Sequence, residues 1–244
     1  MIDIVDTHIH IIYDYDDGSK SLSMALDMLK MAYDQGARHI FCTSHSIDDP
    51  HADKYKALQK YKDKLFKLQT LSRSLYPDLT LYSGCEILCS YELIDDVLDG
   101  LEKGLFLPYG NTRYVLTELY PDTTCDEAIH ITKLLISKGW KPILAHTERY
   151  PALFEGNALD RLIESGVLFQ INLYSLEDEQ NEERKNYARH LVNNKMAHFV
   201  GSDAHRSDRR PPRYLAGIEY LEKHCERDYI ENICHKNALE KLMK

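Results

Sequence analysis

Glycine and proline are scarce in this chain of 244 residues, with 11 and 8 copies, although average proteins contain about 12% of the two together. Little material is therefore left for linkers. With 43% hydrophobic and 28% charged residues, the chain can bury a full core. This composition excludes disorder as the main state and fits one domain of barrel or sandwich size, or two small ones.

Long apolar runs and a basic N-terminal segment are also missing. No stretch approaches the roughly 18 apolar residues that span a bilayer, and MIDIVDTHIH has two Asp and no basic residue, which argues against a signal peptide. The cysteines form no CxxC pair, and Cys85 and Cys89 could form half a zinc site only if a second half followed. We therefore expect reduced thiols and a cytoplasmic location.

Positive charge is not in excess, since 30 Lys and Arg stand against 39 Asp and Glu, for a net charge of −9. Such a chain has no broad positive electrostatic field that would attract nucleic acid or an anionic membrane. We therefore expect no nucleic-acid partner and no membrane insertion. Histidine is abundant instead, with 12 copies. Because imidazole is the commonest metal ligand and a proton carrier at neutral pH, the placement of these histidines becomes the main question.

Short β-like segments alternate with helical patterns along the chain. Helices are predicted at 22–36, 52–75, 128–138 and 159–165 from apolar spacing and terminal glycines. The seven predicted strands are Ile2–Asp6, His39–Thr43, Thr80–Cys85, Tyr114–Glu118, Pro142–Ala145, Val167–Ile171 and His198–Gly201. This alternation predicts an α/β fold with a parallel sheet, and a barrel of about seven β/α units would fit the length.

Metal-ligating side chains follow six of the seven predicted strands. In a parallel barrel they would share one rim, because functional residues follow the carboxyl ends of the strands. Asp17 lies near by, its neighbour Asp16 could serve equally, and Asp6 could orient a ligand. The candidates at the strand ends are His8, His10, His45, Glu86, Glu118, His146, Asp203 and His205.

Together these side chains predict a metal centre. His8 and His10 lie about 6.5–7 Å apart on one side of an extended segment, so both rings can reach one cation. Five imidazoles and four carboxylates exceed the needs of one ion and would suit two or three divalent ions. Mixed N/O ligation favours Mn, Fe or Zn, and clustered ions supply hydroxide for hydrolysis. The alternative is a set of satisfied polar groups under loops.

Arginines follow two of the candidate ligands. Arg149 comes three residues after His146, and four more arginines follow His205. Guanidinium groups bind phosphate oxygens in a fork, although a solvated basic loop is the alternative. No cysteine has Arg six residues later, and GxSxG and GxxxxGK[ST] are absent. A cysteine phosphatase, a nucleophile-elbow hydrolase and a P-loop enzyme are thereby disfavoured.

The segments DTHIH, DDGS, TSH, GCEI, AHTERY and SDAHRSDRRPP, with Glu118, resemble the PHP superfamily. More narrowly they resemble its manganese-dependent protein-tyrosine phosphatases of bacterial capsule and exopolysaccharide operons, the CpsB type. The resemblance implies a single PHP-type domain over residues 1–244, folded as a distorted, TIM-like (β/α)7 barrel. It also implies that Arg149 and Arg210 bind phosphate, although Arg209 stands where a small residue is usual, which leaves Arg206, Arg209 and Arg210 all open. Its implied ligands for three metal ions are His8, His10, Asp17, His45, Glu86, Glu118, His146, Asp203 and His205.

The function implied by the resemblance is hydrolysis of phosphotyrosine on the tail of a bacterial tyrosine autokinase that controls polysaccharide export. The expected cofactor is Mn²⁺, with Fe or Zn as alternatives, and the expected nucleophile is a metal-activated hydroxide. Three other functions stay open: a small-molecule phosphatase such as a histidinol phosphatase, a 3′–5′ exonuclease-like phosphoesterase, and a non-catalytic binding protein.

Overall fold

The structure, a computed structural model, describes residues 2–46 and 52–243. Eight strands lie in this part of the chain, and every ladder between them is parallel. The strands are β1 (Ile4–Ile9), β2 (Ala37–Cys42), β3 (Thr80–Ser83), β4 (Glu86–Leu88), β5 (Tyr114–Glu118), β6 (Lys141–Leu144), β7 (Leu168–Asn172) and β8 (Phe199–Gly201).

The strands form two sheets that meet at their carboxyl edge. One has the order β1-β2-β3 and the other β4-β5-β6-β7-β8. Single bridges, Ile9 to Ala204 and His45 to Glu86, join them at both borders, and the His10 N–H donates to the Ala204 carbonyl at 2.8 Å. The predicted α/β fold with a parallel, barrel-like sheet is confirmed, in the form of a distorted ring rather than a regular barrel.

The strand count differs from the prediction of seven at the third strand. Thr80–Cys85 was predicted as one strand, but β3 ends at Ser83 and Glu86 begins the separate strand β4. The reason is local hydrogen bonding: the Cys85 N–H donates to the Leu107 carbonyl and the Ser83 carbonyl accepts from Gly110. These bonds divert the backbone from β2. Glu86 therefore starts a strand instead of following one.

The first strand also differs, since it runs to Ile9 instead of ending at Asp6. Its pairing with β2 is irregular between Asp6 and Ile9, and His8 lies within this irregular stretch. The prediction that His8 follows the strand was therefore wrong, whereas Tyr114–Glu118 has the predicted bounds.

Nine α-helices pack around the strands in the described residues. In the first helix, Ala25, Met28, Leu29 and Ala32 are buried, which is the i, i+3, i+4, i+7 face expected of a helix packed on a sheet. None of the described helices is long and apolar enough to cross a membrane. The helices are α1 (Leu22–Asp34), α2 (Lys54–Leu75), α3 (Ile94–Glu102), α4 (Cys125–Ser137), α5 (Ala158–Glu164), α6 (Glu182–Asn193), α7 (Leu215–His224), α8 (Arg227–Glu231) and α9 (Asn237–Leu242).

The larger part of the apolar core lies between the helices and the strands, and a smaller apolar cluster lies inside the ring of strands. It brings together buried side chains from five strands with two residues of α9: Val5, Phe41, Leu116, Ile143, Phe199, Ala238 and Leu242. The interior is thus filled by apolar side chains, and the polar side chains that follow β1, β2, β6 and β8 are left at the carboxyl edge.

Candidate metal centre

All nine predicted ligands lie together at the carboxyl edge of the strands. They form four overlapping groups, in each of which the donor atoms lie within 4.8 Å of one another. The groups are His10, Asp17, His45 and His205; His8, Glu86 and His146; His8, His10 and Asp203; and His45, Glu86 and Glu118. Four residues, His8, His10, His45 and Glu86, each belong to two of these groups, which is the pattern of adjacent cation sites with common ligands.

Glu86 is the centre of this arrangement. Its Oε2 lies 3.2 Å from His8 Nε2, 3.1 Å from His10 Nε2 and 3.3 Å from His45 Nδ1. Its Oε1 lies 2.9 Å from His146 Nε2. A carboxylate whose two oxygens face different imidazoles can bridge two ions.

Charges and hydrogen bonds within the site keep two of its carboxylates, Glu86 and Asp203, ionised. Burial alone would raise the pKa of Glu86, but His8, His10 and His146 outweigh it and hold the pKa well below its usual value. For Asp203, burial is likewise outweighed by Arg149, His8 and Arg210, so its pKa is also well below normal. Ionised carboxylates are the state that metal binding requires.

The two neighbouring aspartates have different roles. Asp16 Oδ2 lies 2.9 Å from His10 Nδ1 and accepts from the His45 N–H at 3.0 Å. Asp17 Oδ1 faces the other donors, 3.4 Å from His205 Nε2 and 3.6 Å from His45 Nε2. Of the pair that the sequence left open, Asp17 therefore sits among the candidate ligands, and Asp16 orients the His10 ring.

Asp6 orients backbone rather than an imidazole. It is fully buried and accepts from the His8 N–H at 3.1 Å and from the Ser202 N–H at 2.9 Å. The Tyr214 hydroxyl donates to its Oδ2 at 2.6 Å. Asp6 thus ties the end of the first strand to the segment after the last one.

Two neutral residues that the sequence reasoning missed also support the imidazoles. Gln170 Oε1 lies 3.2 Å from His8 Nδ1 and accepts from the His146 N–H at 2.7 Å. The Tyr150 hydroxyl lies 3.2 Å from His146 Nδ1 and accepts from the Leu119 N–H at 3.0 Å. A polar Gln inside the apolar strand VLFQIN was the available signal for the first. Such contacts fix ring orientation in metal sites.

Two arginines meet the centre through Asp203. Arg149 Nη2 donates to Asp203 Oδ2 at 2.5 Å and to the Tyr174 hydroxyl at 2.9 Å, and Arg210 Nη2 donates to the same Asp203 oxygen. Arg206 turns instead to Asp208, at 2.9 and 2.8 Å. Of the three arginines that the sequence left open, Arg210 is therefore the one in contact with the centre.

Backbone strain is concentrated at the same place. His146, Asp203 and Arg210 adopt positive φ angles of 32°, 48° and 73°, a region that non-glycine residues rarely occupy. Such conformations cost free energy and persist where the surrounding structure imposes them. Here they direct two candidate ligands and one arginine toward a common point.

The cysteines do not form part of the centre. All six are free, and Cys42, Cys85, Cys89 and Cys234 are buried. Burial raises the pKa of each of these four thiols, to about 12 for Cys85 and Cys234. A thiolate is the reactive form of cysteine, so these groups are poor nucleophiles.

The donor set fits divalent metal ions. Five imidazoles and four carboxylates, with no thiolate among the groups, match the ligand preferences of Mn, Fe and Zn rather than of a soft-metal site. A barrel-like parallel α/β fold with this centre at its carboxyl edge places the chain in the class of metal-dependent hydrolases. Residues 4–243 match the family described as capsular polysaccharide synthesis, CpsB/CapC, and the chain belongs to that family.

Similar proteins carry tyrosine phosphatase names. The tyrosine-protein phosphatase CpsB of Streptococcus pneumoniae is 31% identical over 230 residues, covering 90% of each chain. The tyrosine-protein phosphatase YwqE of Bacillus subtilis is 30% identical over 223 residues, covering 90% of this chain and 84% of its own. The predicted relationship to this group is confirmed.

Solved structures agree with this relationship. A chain from the crystal structures of YwqE and CpsB, described as metal-dependent tyrosine phosphatases, matches with a TM-score of 0.84 and 28% identity over 100% of this chain and 94% of that one. The histidinol phosphate phosphatase of Lactococcus lactis matches with a TM-score of 0.58 at 16% identity, over 91% and 92% of the two chains. The second likeness concerns the fold alone.

Proposed function

We propose that this chain is a metal-dependent protein-tyrosine phosphatase. The observation that carries the proposal is the convergence of nine donor side chains with Arg149 and Arg210, which both hydrogen-bond Asp203. Metal ligands and guanidinium groups side by side suit the hydrolysis of a phosphate ester. The tyrosine phosphatase names of relatives about 30% identical over most of the chain support the choice of substrate.

The proposed metal ligands are the nine predicted residues. We propose two or three ions and Mn²⁺ as the native metal, with Fe and Zn as the alternatives that the same donors accept. When bound, such ions neutralise phosphoryl charge and supply hydroxide at neutral pH. The residues concerned are His8, His10, Asp17, His45, Glu86, Glu118, His146, Asp203 and His205.

The two arginines bind the phosphoryl group in this proposal. Their guanidinium groups converge on one oxygen of Asp203, and the Tyr174 hydroxyl holds Arg149 from another side. Arginine presents a planar fork of donors that matches phosphate oxygens. The pair is thus ready to stabilise the charge that develops on the equatorial oxygens.

Phenolate is a leaving group that suits this centre. Its pKa of about 10 is low enough that departure needs little help from an acid. The high pKa of the buried thiols disfavours a cysteinyl phosphoenzyme, so we propose direct transfer of the phosphoryl group to water.

The proposed substrate is the phosphotyrosine-bearing tail of a bacterial tyrosine autokinase that controls capsule or exopolysaccharide synthesis. Membership in the capsular polysaccharide synthesis family supports this partner. We also propose a cytoplasmic location, in keeping with six free cysteines, and a single PHP-type domain over residues 1–244.

An assay with purified, metal-stripped protein tests the function. After reloading with Mn²⁺, Fe²⁺ or Zn²⁺, the rate is compared on a phosphotyrosine peptide, histidinol phosphate and single-stranded DNA. We expect the peptide to have the highest kcat/KM, EDTA to abolish turnover and thiol alkylation to leave it intact. Turnover that survives EDTA but not alkylation would make the metal mechanism wrong, and a preference for histidinol phosphate or DNA would replace the proposed substrate.

A variant pair tests the centre itself. His146→Ala removes a donor 2.9 Å from Glu86 and should lower both bound metal per chain and kcat. The exposed His130, which stacks on Tyr91, provides the matched control His130→Ala. Equal metal content and rate in the two variants would contradict the proposed ligand set.

A further inference from the structure

A cleft of about 910 Å³ opens beside the metal centre, and five arginines line it: Arg149, Arg184, Arg209, Arg210 and Arg213. We refer to it as the arginine cleft. Volumes in this range hold drug-sized ligands, so the cleft has room for peptide residues on one side of a phosphotyrosine. Arg149 and Arg210 already belong to the centre, which makes the cleft continuous with it.

Most charges in the arginine cleft are neutralised within the protein. Arg184 Nε donates to Asp178 at 2.8 Å, Glu177 pairs with Arg189 at 2.9 Å, and Asp208 pairs with Arg206. Among the described residues, three charged groups of the lining make no ion pair, namely Arg209, Arg213 and Glu179, and all three are exposed. The charge left for a ligand is therefore positive, and Arg209 and Arg213 carry it.

The segment that carries these two arginines is anchored. Gln35 Nε2 donates to the Pro212 carbonyl at 2.9 Å, and Gln35 Oε1 accepts from the Tyr214 N–H at 3.0 Å. Pro211 and Pro212 fix their own φ angles. The backbone on both sides of Arg213 is thus held in place while its side chain is exposed, which lowers the entropy lost when a ligand binds.

We propose that Arg209 and Arg213 form a second anion-binding subsite for a negatively charged side chain that lies near the phosphotyrosine on the same peptide. The recognised chemistry is a carboxylate or phosphate oxygen pair, which guanidinium groups bind in a fork. The inference rests on the proposed phosphatase function and adds a substrate class to it: phosphotyrosine in an acidic segment.

The test uses the manganese-loaded enzyme and three phosphotyrosine peptides of equal length. One has glutamines around the phosphotyrosine, one has glutamates there, and one carries a second, non-hydrolysable phosphonate analogue of phosphotyrosine. We expect kcat/KM on at least one charged peptide to exceed that on the glutamine peptide by roughly 5–20-fold, the size expected for two exposed charge pairs. In the double variant Arg209→Gln/Arg213→Gln, the ratio should fall below about 2.

Arg206→Gln/Asp208→Asn is the matched control, because it also changes two residues of the same loop but removes an ion pair, so the net charge around the cleft stays the same. The preference should persist in this variant. In the wild-type enzyme, it should weaken as added salt screens exposed charges.

The outcomes distinguish a failure of the proposed subsite from a failure of the proposed phosphatase function. A preference for the glutamate peptide identifies carboxylate recognition, and a preference for the phosphonate peptide alone identifies phosphate recognition. Equal turnover of all three peptides, or an equal loss of preference in Arg206→Gln/Asp208→Asn, overturns the subsite and leaves the phosphatase in place. No turnover of any peptide overturns the phosphatase function itself.

Discussion

At the scale of single residues, the centre depends on side chains held by a second set of side chains. His10, for example, is fixed by Asp16, and Arg149 by Tyr174 and Asp203 together. The ligands were predictable because charged and imidazole groups recur at strand ends. Gln170 gave only the weak signal of one polar residue in an apolar strand, and Tyr150 gave none, because neither side chain carries a charge.

Asp16 should matter for metal affinity although it is not a proposed ligand. Asp16→Asn keeps the size of the side chain but removes the charge that faces His10 Nδ1 at 2.9 Å. We expect metal affinity to fall by about 10–100-fold, as for other residues that orient ligating histidines, measured by competition with a metal-binding dye. Asp14→Asn, in the same loop and on an aspartate paired with Lys64, should leave the affinity unchanged. A similar loss in both variants would assign the effect to the loop rather than to His10.

Arg210 should not be replaceable by lysine. A lysine keeps the charge but loses the fork that can contact both Asp203 and a phosphoryl group. We expect Arg210→Lys to lower kcat on a phosphotyrosine peptide by about 100-fold, the size seen when one donor to a developing oxyanion is removed. Arg206→Lys is the control, with an expected change of less than about 2-fold. A normal rate in Arg210→Lys would remove Arg210 from the phosphate site.

At the scale of elements, the helices and strands with a strong local sequence pattern were the ones that could be predicted. The four predicted helices exist with shifted ends, and β5 has the predicted bounds. Helix α3 was missed although Ile94, Val97, Leu98 and Leu101 form a buried face, because it is only nine residues long. Helix α6 was missed because its sequence EERKNYARHLVN is largely polar. The break between β3 and β4 depends on hydrogen bonds to residues 107–110, which no local pattern reveals.

Helix α7 packs unusually close to the segment that carries Tyr174. A Cβ added at Gly217 would clash with the Leu173 carbonyl oxygen and lie 2.8 Å from the carbonyl carbon. Gly217→Ala should therefore destabilise the protein by about 1–3 kcal/mol, the usual cost of overpacking, as measured by urea denaturation. Glu219→Ala, an exposed position on the same helix, should change the stability by less than about 0.5 kcal/mol. Equal stabilities would show that α7 can shift without cost.

The junction of β7 and β8 contains a pH-sensitive contact. His198 Nδ1 accepts from the Phe169 N–H at 3.1 Å, and burial, with Lys241 near by, lowers the pKa of His198 to about 4. Its unfolded pKa is about 6.5, so between pH 6.5 and 4 the unfolded chain binds a proton that the folded chain does not. The contribution of His198 to stability is therefore present above pH 6.5 and is lost as the pH falls through this window.

His198→Asn keeps an acceptor but removes this titration. In urea denaturation with EDTA present, the wild-type protein should lose about 1–2 kcal/mol more stability than the variant between pH 7.5 and pH 5. Parallel pH profiles for the two proteins would show that His198 does not titrate in this range.

At the scale of the whole molecule, the centre joins parts of the chain that are far apart in sequence. Its proposed ligands extend from His8 to His205 and come from both sheets. That residues 1–244 form a single PHP-type domain stays a prediction. From the sequence, these distant residues could be brought together only by assuming that they share one rim of a barrel. The side chains that contact Glu86 became known only from the three-dimensional structure.

Metal removal should therefore weaken the entire fold. Like-charged carboxylates resist close approach without cations between them, and ions that bind only the folded state stabilise it by mass action, by about 2.7 kcal/mol at 100 times Kd. We expect Tm to rise by several degrees with Mn²⁺ over EDTA in thermal unfolding, and to rise less in His146→Ala. The same Tm in Mn²⁺ and in EDTA would indicate that the ligands do not link the two sheets energetically.

The left-handed backbone at His146, Asp203 and Arg210 has a consequence for the stability of the chain. Glycine would adopt these angles with no penalty from a Cβ, so each of the three residues costs folding stability of the order of 1 kcal/mol. Their side chains meet at the centre, where glycine offers neither a ligand nor a guanidinium group. Glycine would relieve this backbone cost only by removing the contacts of Asp203 with Arg149 and Arg210 and that of His146 with Glu86. The three positive φ angles therefore represent a trade-off, in which backbone free energy is lost so that these side chains can take part in the centre.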